Sequence, residues 1–141
     1  MSSDLLADLT PGGDAVRMLD LSTTDADLLC VVAGERGYSC ALADLAGCHD
    51  KDEFLARMAE ALDFPAWFGR NWDAFFDCLA DLSWLPAGGH MLVLLNAADL
   101  QQHAPESFDT AMAIMRDAGA VWAERGVAFR AFVSGSMPVP G

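Results

Sequence analysis

The sequence predicts an α/β fold built on a small, mostly parallel sheet, and three observations carry that expectation. The first is order: from residue 28 to residue 133, strand-like apolar runs alternate with helical periodicities, the pattern of strands joined by helical crossovers. The second is the run Met-Leu-Val-Leu-Leu at 91–95, continuously apolar as a strand is when both of its faces are covered. The third is composition. A chain of 141 residues that is 53% hydrophobic can bury one core of ordinary size, and that hydrophobicity separates it from disordered chains of similar charge.

Along the chain, residues 1–26 read as an acidic, loosely docked extension punctuated by Pro11, Gly12 and Gly13, with strand character only at 15–21; the domain is expected at 27–141. Residues 28–32 and 38–42 flank a turn bounded by Gly34 and Gly37 and predict a hairpin. Asp50 or Asp52 is placed to cap a helix reaching about Leu62, with Phe54, Leu55, Met58, Ala59 and Leu62 at helical spacing. Pro65 ends it, because the residue before proline is pushed out of the helical region. The loop at 64–70, with Gly69 able to take a positive φ, leads to Asn71 as the cap of a second helix ending near Ser83. Beyond the 91–95 strand, Asn96 or Asp99 opens a short helix to His103. Pro105 then starts a longer one with Phe108, Met112, Met115 and Ala118 or Gly119 on one stripe. Gly126 stops that helix, and 127–133 is the last strand.

The 21 acidic against 8 basic side chains leave a net charge of -13. Such a field repels nucleic-acid phosphates and anionic lipid headgroups, so the expected partner is neither nucleic acid nor membrane but a basic protein. The apolar runs fall far short of the roughly 20 residues a membrane span needs. With no basic start or apolar stretch of a secretion signal at the N-terminus, a cytoplasmic location is expected. The four cysteines show no CxxC spacing and in a reducing compartment are simplest as small core residues. Cys48-His49 lacks an orienting third group, and His90 and His103 read as exposed groups at element ends. There is no P-loop, GxGxxG or GxSxG, and neither enzyme activity nor a cofactor is expected.

The second helix stands out. Asp73, Asp77 and Asp81, four residues apart, share one face opposite Phe75, Cys78, Leu79 and Leu82. Like charges at that spacing destabilise a helix by about 0.2–0.5 kcal/mol per pair, and no basic residue lies between Asn71 and His90 to relieve them. Trp67 and Phe68 precede this face, and Trp72 and Phe76 flank it. Aromatic groups beside unrelieved charge resemble the anchors of a protein interface. A merely solvent-facing acidic surface stays open as a reading. So does a divalent metal, but the helical rise spreads Asp73 and Asp81 about 12 Å apart, so ligands from elsewhere are required. A carboxylate pair for sugar hydrolysis needs a cleft that nothing in the sequence indicates.

Residues 64–79 (Phe-Pro-Ala-Trp-Phe-Gly-Arg-Asn-Trp-Asp-Ala-Phe-Phe-Asp-Cys-Leu) resemble the signature of the barstar family, small intracellular inhibitors of secreted guanyl-preferring ribonucleases. The element order over roughly 38–135 agrees. The resemblance implies a three-layer, barstar-like α/β domain, here with residues 28–32 as an added N-terminal edge strand. It also implies a cofactor-free plug for the active site of a basic ribonuclease of the barnase-like type. By the same resemblance, Asp77 takes the phosphate site, facing the nuclease's catalytic Arg and His, and Asp73 pairs with a basic group at the rim. Trp67 packs on the partner, Asn71 caps the helix, Phe76 stands where the family's prototype has Trp, and Asp117, within Arg116-Asp117-Ala118, is a third acid. The candidate partner-binding set is therefore Trp67, Phe68, Asn71, Asp73, Phe76, Asp77, Asp81 and Asp117. Arg70 departs from the pattern, a cation where an acid is typical, and residues 1–37 have no counterpart. The alternative is a module that offers the same acidic helix to a basic partner that is not a nuclease.

Overall fold

A computed structural model describes residues 14–65, 68–85 and 87–135. In chain order the elements are β1 (Val16–Met18), α1 (Thr23–Glu35), β2 (Tyr38–Asp44), α2 (Lys51–Leu62), α3 (Trp72–Asp81), β3 (Gly89–Leu95), α4 (Ala98–His103), α5 (Pro105–Glu124) and β4 (Ala128–Val133). The four strands pair in the order β1-β4-β3-β2, and every pairing is parallel. Tyr38 lies opposite Gly89 and Asp44 opposite Leu95, so β2 and β3 pair over their full length. Every residue of β3 and β4 is buried, as expected of inner strands covered on both faces.

Because successive strand residues point to opposite faces, the sheet divides the interior in two. Leu92, Leu94, Phe129, Ala131 and Val133 join the main core with Phe54, Leu55, Met58, Phe75, Leu79, Phe108 and Met115 from α2, α3 and α5. Met91, Val93, Leu95, Ala128 and Phe132 form a second core with Ala26, Leu29 and Ala33 of α1. The result is the three-layer α/β architecture expected from the sequence.

The hairpin is not formed. Residues 28–32 lie inside α1, which Ser22 opens with a reciprocal capping box: Ser22 Oγ accepts from the Asp25 N–H at 3.0 Å, and Asp25 accepts from the Ser22 N–H at 3.2 Å. A run that is apolar all round fits a buried strand and a buried helix equally well, and here Ala26, Leu29 and Ala33 supply the helical stripe that the second core needs. Leu28 and Val31 are left 52% and 59% exposed. The N-terminal edge strand exists but is Val16–Met18, beside β4 and at the opposite edge from β2. Residues 19–21 are tied on as well: the Leu19 N–H donates to Val133 O, and the Leu21 N–H to Ser134 Oγ.

Two further expectations change. Cys30 and Cys40 are not free core thiols but a disulfide that staples α1 to β2, with Cα atoms 5.3 Å apart. Cys48 and Cys78 are free and buried, and burial pushes both thiols up to about 11. His90 is no exposed end group: it lies buried in β3 against Trp122, its Nδ1 2.7 Å from Ser39 Oγ, and burial holds its pKa below the ordinary value. His103 is exposed and stacks on His49 at 3.9 Å between ring centroids.

Candidate partner-binding groove

Local chemistry sets the start of α3. Asn71, extended at φ -134° and ψ 168°, accepts the Ala74 N–H on its side-chain oxygen at 2.8 Å, as an N-cap does. The positive φ of the preceding loop falls on Arg70, at 51°, rather than on Gly69. Glycine at 69 instead leaves room: an added Cβ would stand 3.1 Å from the Asn71 amide nitrogen, which bonds back to Gly69 O. Asp73, in the first turn, sits where the helix dipole favours an anion.

The other end of α3 is fastened to α5 and its C-cap. Trp122 Nε1 donates to Leu79 O at 2.8 Å, and Arg125 donates to Ala80 O at 2.9 Å, so side chains satisfy carbonyls that the helix leaves open. Phe75, Cys78 and Leu79 are buried, with Phe75 edge-on to Phe54 at 5.5 Å. The opposite face of α3 is thereby held outward at a defined angle beside α5.

Between the two helices runs a groove of about 700 Å³ lined by Trp72, Asp73, Phe76 and Asp77 of α3 and by Ile114, Asp117, Ala120 and Val121 of α5. The tertiary structure thus gathers four residues expected from the sequence, Asp73, Phe76, Asp77 and Asp117, around one concavity. All three carboxylates are exposed, whereas Trp72 and Phe76 are half-buried and pack against the main core. Among the described residues, no cation forms an ion pair with any of these acids; Arg57 pairs with Glu53 and Arg116 with Asp14. Lys51 Nζ lies 5.6 Å from the centre of the Trp72 ring. The arrangement offers three unneutralised negative charges over an apolar floor, suited to a partner that presents cations together with apolar surface.

The other expected residues stand apart from the groove. Asp81 is exposed on the last turn of α3 but does not line it. Asn71 acts as the helix cap. Phe68 is half-buried against Phe64, at 4.8 Å between rings, and supports the loop. Trp67 lies outside the described residues. Ile114, Ala120 and Val121 were not singled out by sequence reasoning, although they recur at helical spacing with Asp117 along one side of α5. That spacing is the signal that marks them once Asp117 is suspected.

Among the described residues, no group of three or more His, Cys, Asp or Glu side chains is placed to hold a metal ion, and no helix is long and apolar enough to cross a membrane. A comparison with curated proteins finds no match. The family described as Barstar (barnase inhibitor) matches residues 38–134, a span that opens with β2, closes just beyond β4 and contains both walls of the groove. With well over half of its length matched, including the helix that carries Asp73 and Asp77, the chain belongs to the Barstar family.

Proposed function

We propose that this chain inhibits a basic ribonuclease of the barnase-like type by occluding its active site, with α3 and the loop before it as the plug. The observation that carries the reading is the convergence of Asp73, Asp77 and Asp117, from two helices, on one groove floored by Trp72, Phe76, Ile114 and Val121. A cleft built to hold RNA phosphates is cationic, and carboxylates gathered around one groove can occupy it in place of the phosphates. Asp77, in the middle of the exposed face of α3, meets the catalytic cations; Asp73 meets the rim. Inhibition is reversible and non-covalent, and no group on this chain has to react.

The test is inhibition of a barnase-like ribonuclease by the wild-type chain and by Asp77→Ala. Removing one partner of a desolvated charge pair costs about 2–5 kcal/mol, so tight inhibition is lost while the fold persists. Equal inhibition by the two proteins overturns the plug. Binding of Asp73 and Asp77 to a basic protein that is no nuclease would instead support the module reading.

A further inference from the structure

We propose that Asp14 is a positioning residue that ties Arg116 away from the acidic groove, keeping Asp117 and its neighbours open to a partner's cations; this deepens the inhibitor function proposed above and rests on it. The observations lie on the far side of α5 and in residues ahead of the Barstar match.

Helix α5 has two working sides. Ile114, Asp117, Ala120 and Val121 face the groove. Arg116 and Gly119, three residues apart and so on one face, meet the N-terminal segment instead. A Cβ at 119 would run into the Cβ of Ala15, so glycine there allows the segment to lie directly on the helix. The Ala131 N–H bonds Ala15 O at 2.7 Å, and Arg130 donates to Asp14 O, which fixes the backbone of residues 14 and 15 to β4. The Asp14 carboxylate accepts from the Val16 N–H at 3.1 Å and from Arg116 Nε at 3.2 Å.

Arg116 has no acid of its own to pair with on α5. The positions three and four residues away are Met112, Ala113, Gly119 and Ala120. Its neighbour in sequence is Asp117, a wall of the groove, and its side chain is 47% exposed. Without Asp14, a long guanidinium beside Asp117 is drawn toward the three unneutralised carboxylates. It then offsets part of the field that steers a cationic partner.

Two measurements on the full chain test this with Asp14→Ala, which keeps the backbone carbonyl that Arg130 uses, and with Asp14→Ala/Arg116→Gln. In methyl NMR of the free protein, the Ile114 and Val121 signals should shift in the single variant and return toward wild type in the double. In stopped-flow mixing with a barnase-like ribonuclease at low salt, association should slow several-fold in the single variant, with a flatter salt dependence, and recover in the double. Unmoved methyl signals in Asp14→Ala overturn the inference. So do shifts that persist in the double variant, because the lost Val16 bond alone would then explain them. If the wild-type chain fails to bind the ribonuclease, the proposed function falls, while the methyl signals still decide whether Asp14 restrains Arg116.

Discussion

Helices α1 and α3 belong to the layers on opposite faces of one sheet, and they distribute their apolar residues in opposite ways. In α3 the two kinds of residue are segregated: Phe75, Cys78 and Leu79 go inward, and Asp73, Asp77 and Asp81 go outward. In α1 they are not. Only Ala26, Leu29 and Ala33 are buried, while Leu28 and Val31 stand exposed, mixed in among Thr24, Asp27 and Glu35 on the outer face. The difference teaches that a helix can cover a sheet with little amphipathic pattern when small residues let it approach closely and a covalent link, here Cys30–Cys40, holds it there. A helix that must present charge to a partner needs its pattern. The cover lies ahead of the Barstar match and the charged face lies within it.

The sharpest way to break that comparison is to truncate one residue on each helix and measure both stability and inhibition. Leu29→Ala should cost about 2–5 kcal/mol of folding stability, read by denaturant melts, and leave inhibition by the folded fraction unchanged. Asp77→Ala should do the reverse. If Leu29→Ala weakens inhibition at equal folded concentration, the two layers are coupled and the division of labour fails.

A smaller effect is expected from the staple. The bridge spans ten residues of sequence separation, and closing so short a loop limits the unfolded chain by about 3 kcal/mol in the chain-entropy account. Cys30→Ser, melted beside the oxidised wild type, should lose up to that amount. The Ile114 and Val121 methyl signals on the other side of the sheet should stay in place.

His90 adds a pH term to the interior beneath the sheet. Burial lowers its folded pKa, so the folded state resists the proton that the unfolded chain accepts below about 6.5. Stability should therefore fall as pH drops through the unfolded value toward the lowered folded one, by no more than about 1.4 kcal/mol per pH unit from this group. His90→Gln should flatten the slope in that window; an unchanged slope would assign it to other groups. The smallest effect concerns α3 itself. Asp77→Asn relieves two like-charge pairs, with Asp73 and with Asp81, and should stabilise the free chain by about 0.4–1 kcal/mol, visible as a higher Tm. A lower Tm would reveal a structural partner for Asp77.

What the sequence determined by itself is what short-range chemistry controls. The Asn71 cap, the acidic face of α3, Pro105 at the start of α5, an aspartate cap for α2 at Asp50 or Asp52 (found at Asp50) and the buried strand at 91–95 all rest on contacts within a few residues or on an unambiguous period. The tertiary structure decided what depends on distant partners. Residues 28–32 became helix because a sheet face needed a cover, and residues 16–18 became the edge strand because β4 offered an open side. Cys30 found Cys40 only through that packing, and His90 went inside because β3 did. The groove itself is of this second kind. Asp73 and Asp77 share a face by helical spacing alone, but Asp117, forty residues beyond Asp77, joins them only because α3 and α5 pack into one core and Trp122 and Arg125 clamp the end of α3 to α5 and its C-cap. No local pattern encodes that clamp, because each of its bonds joins residues more than forty positions apart.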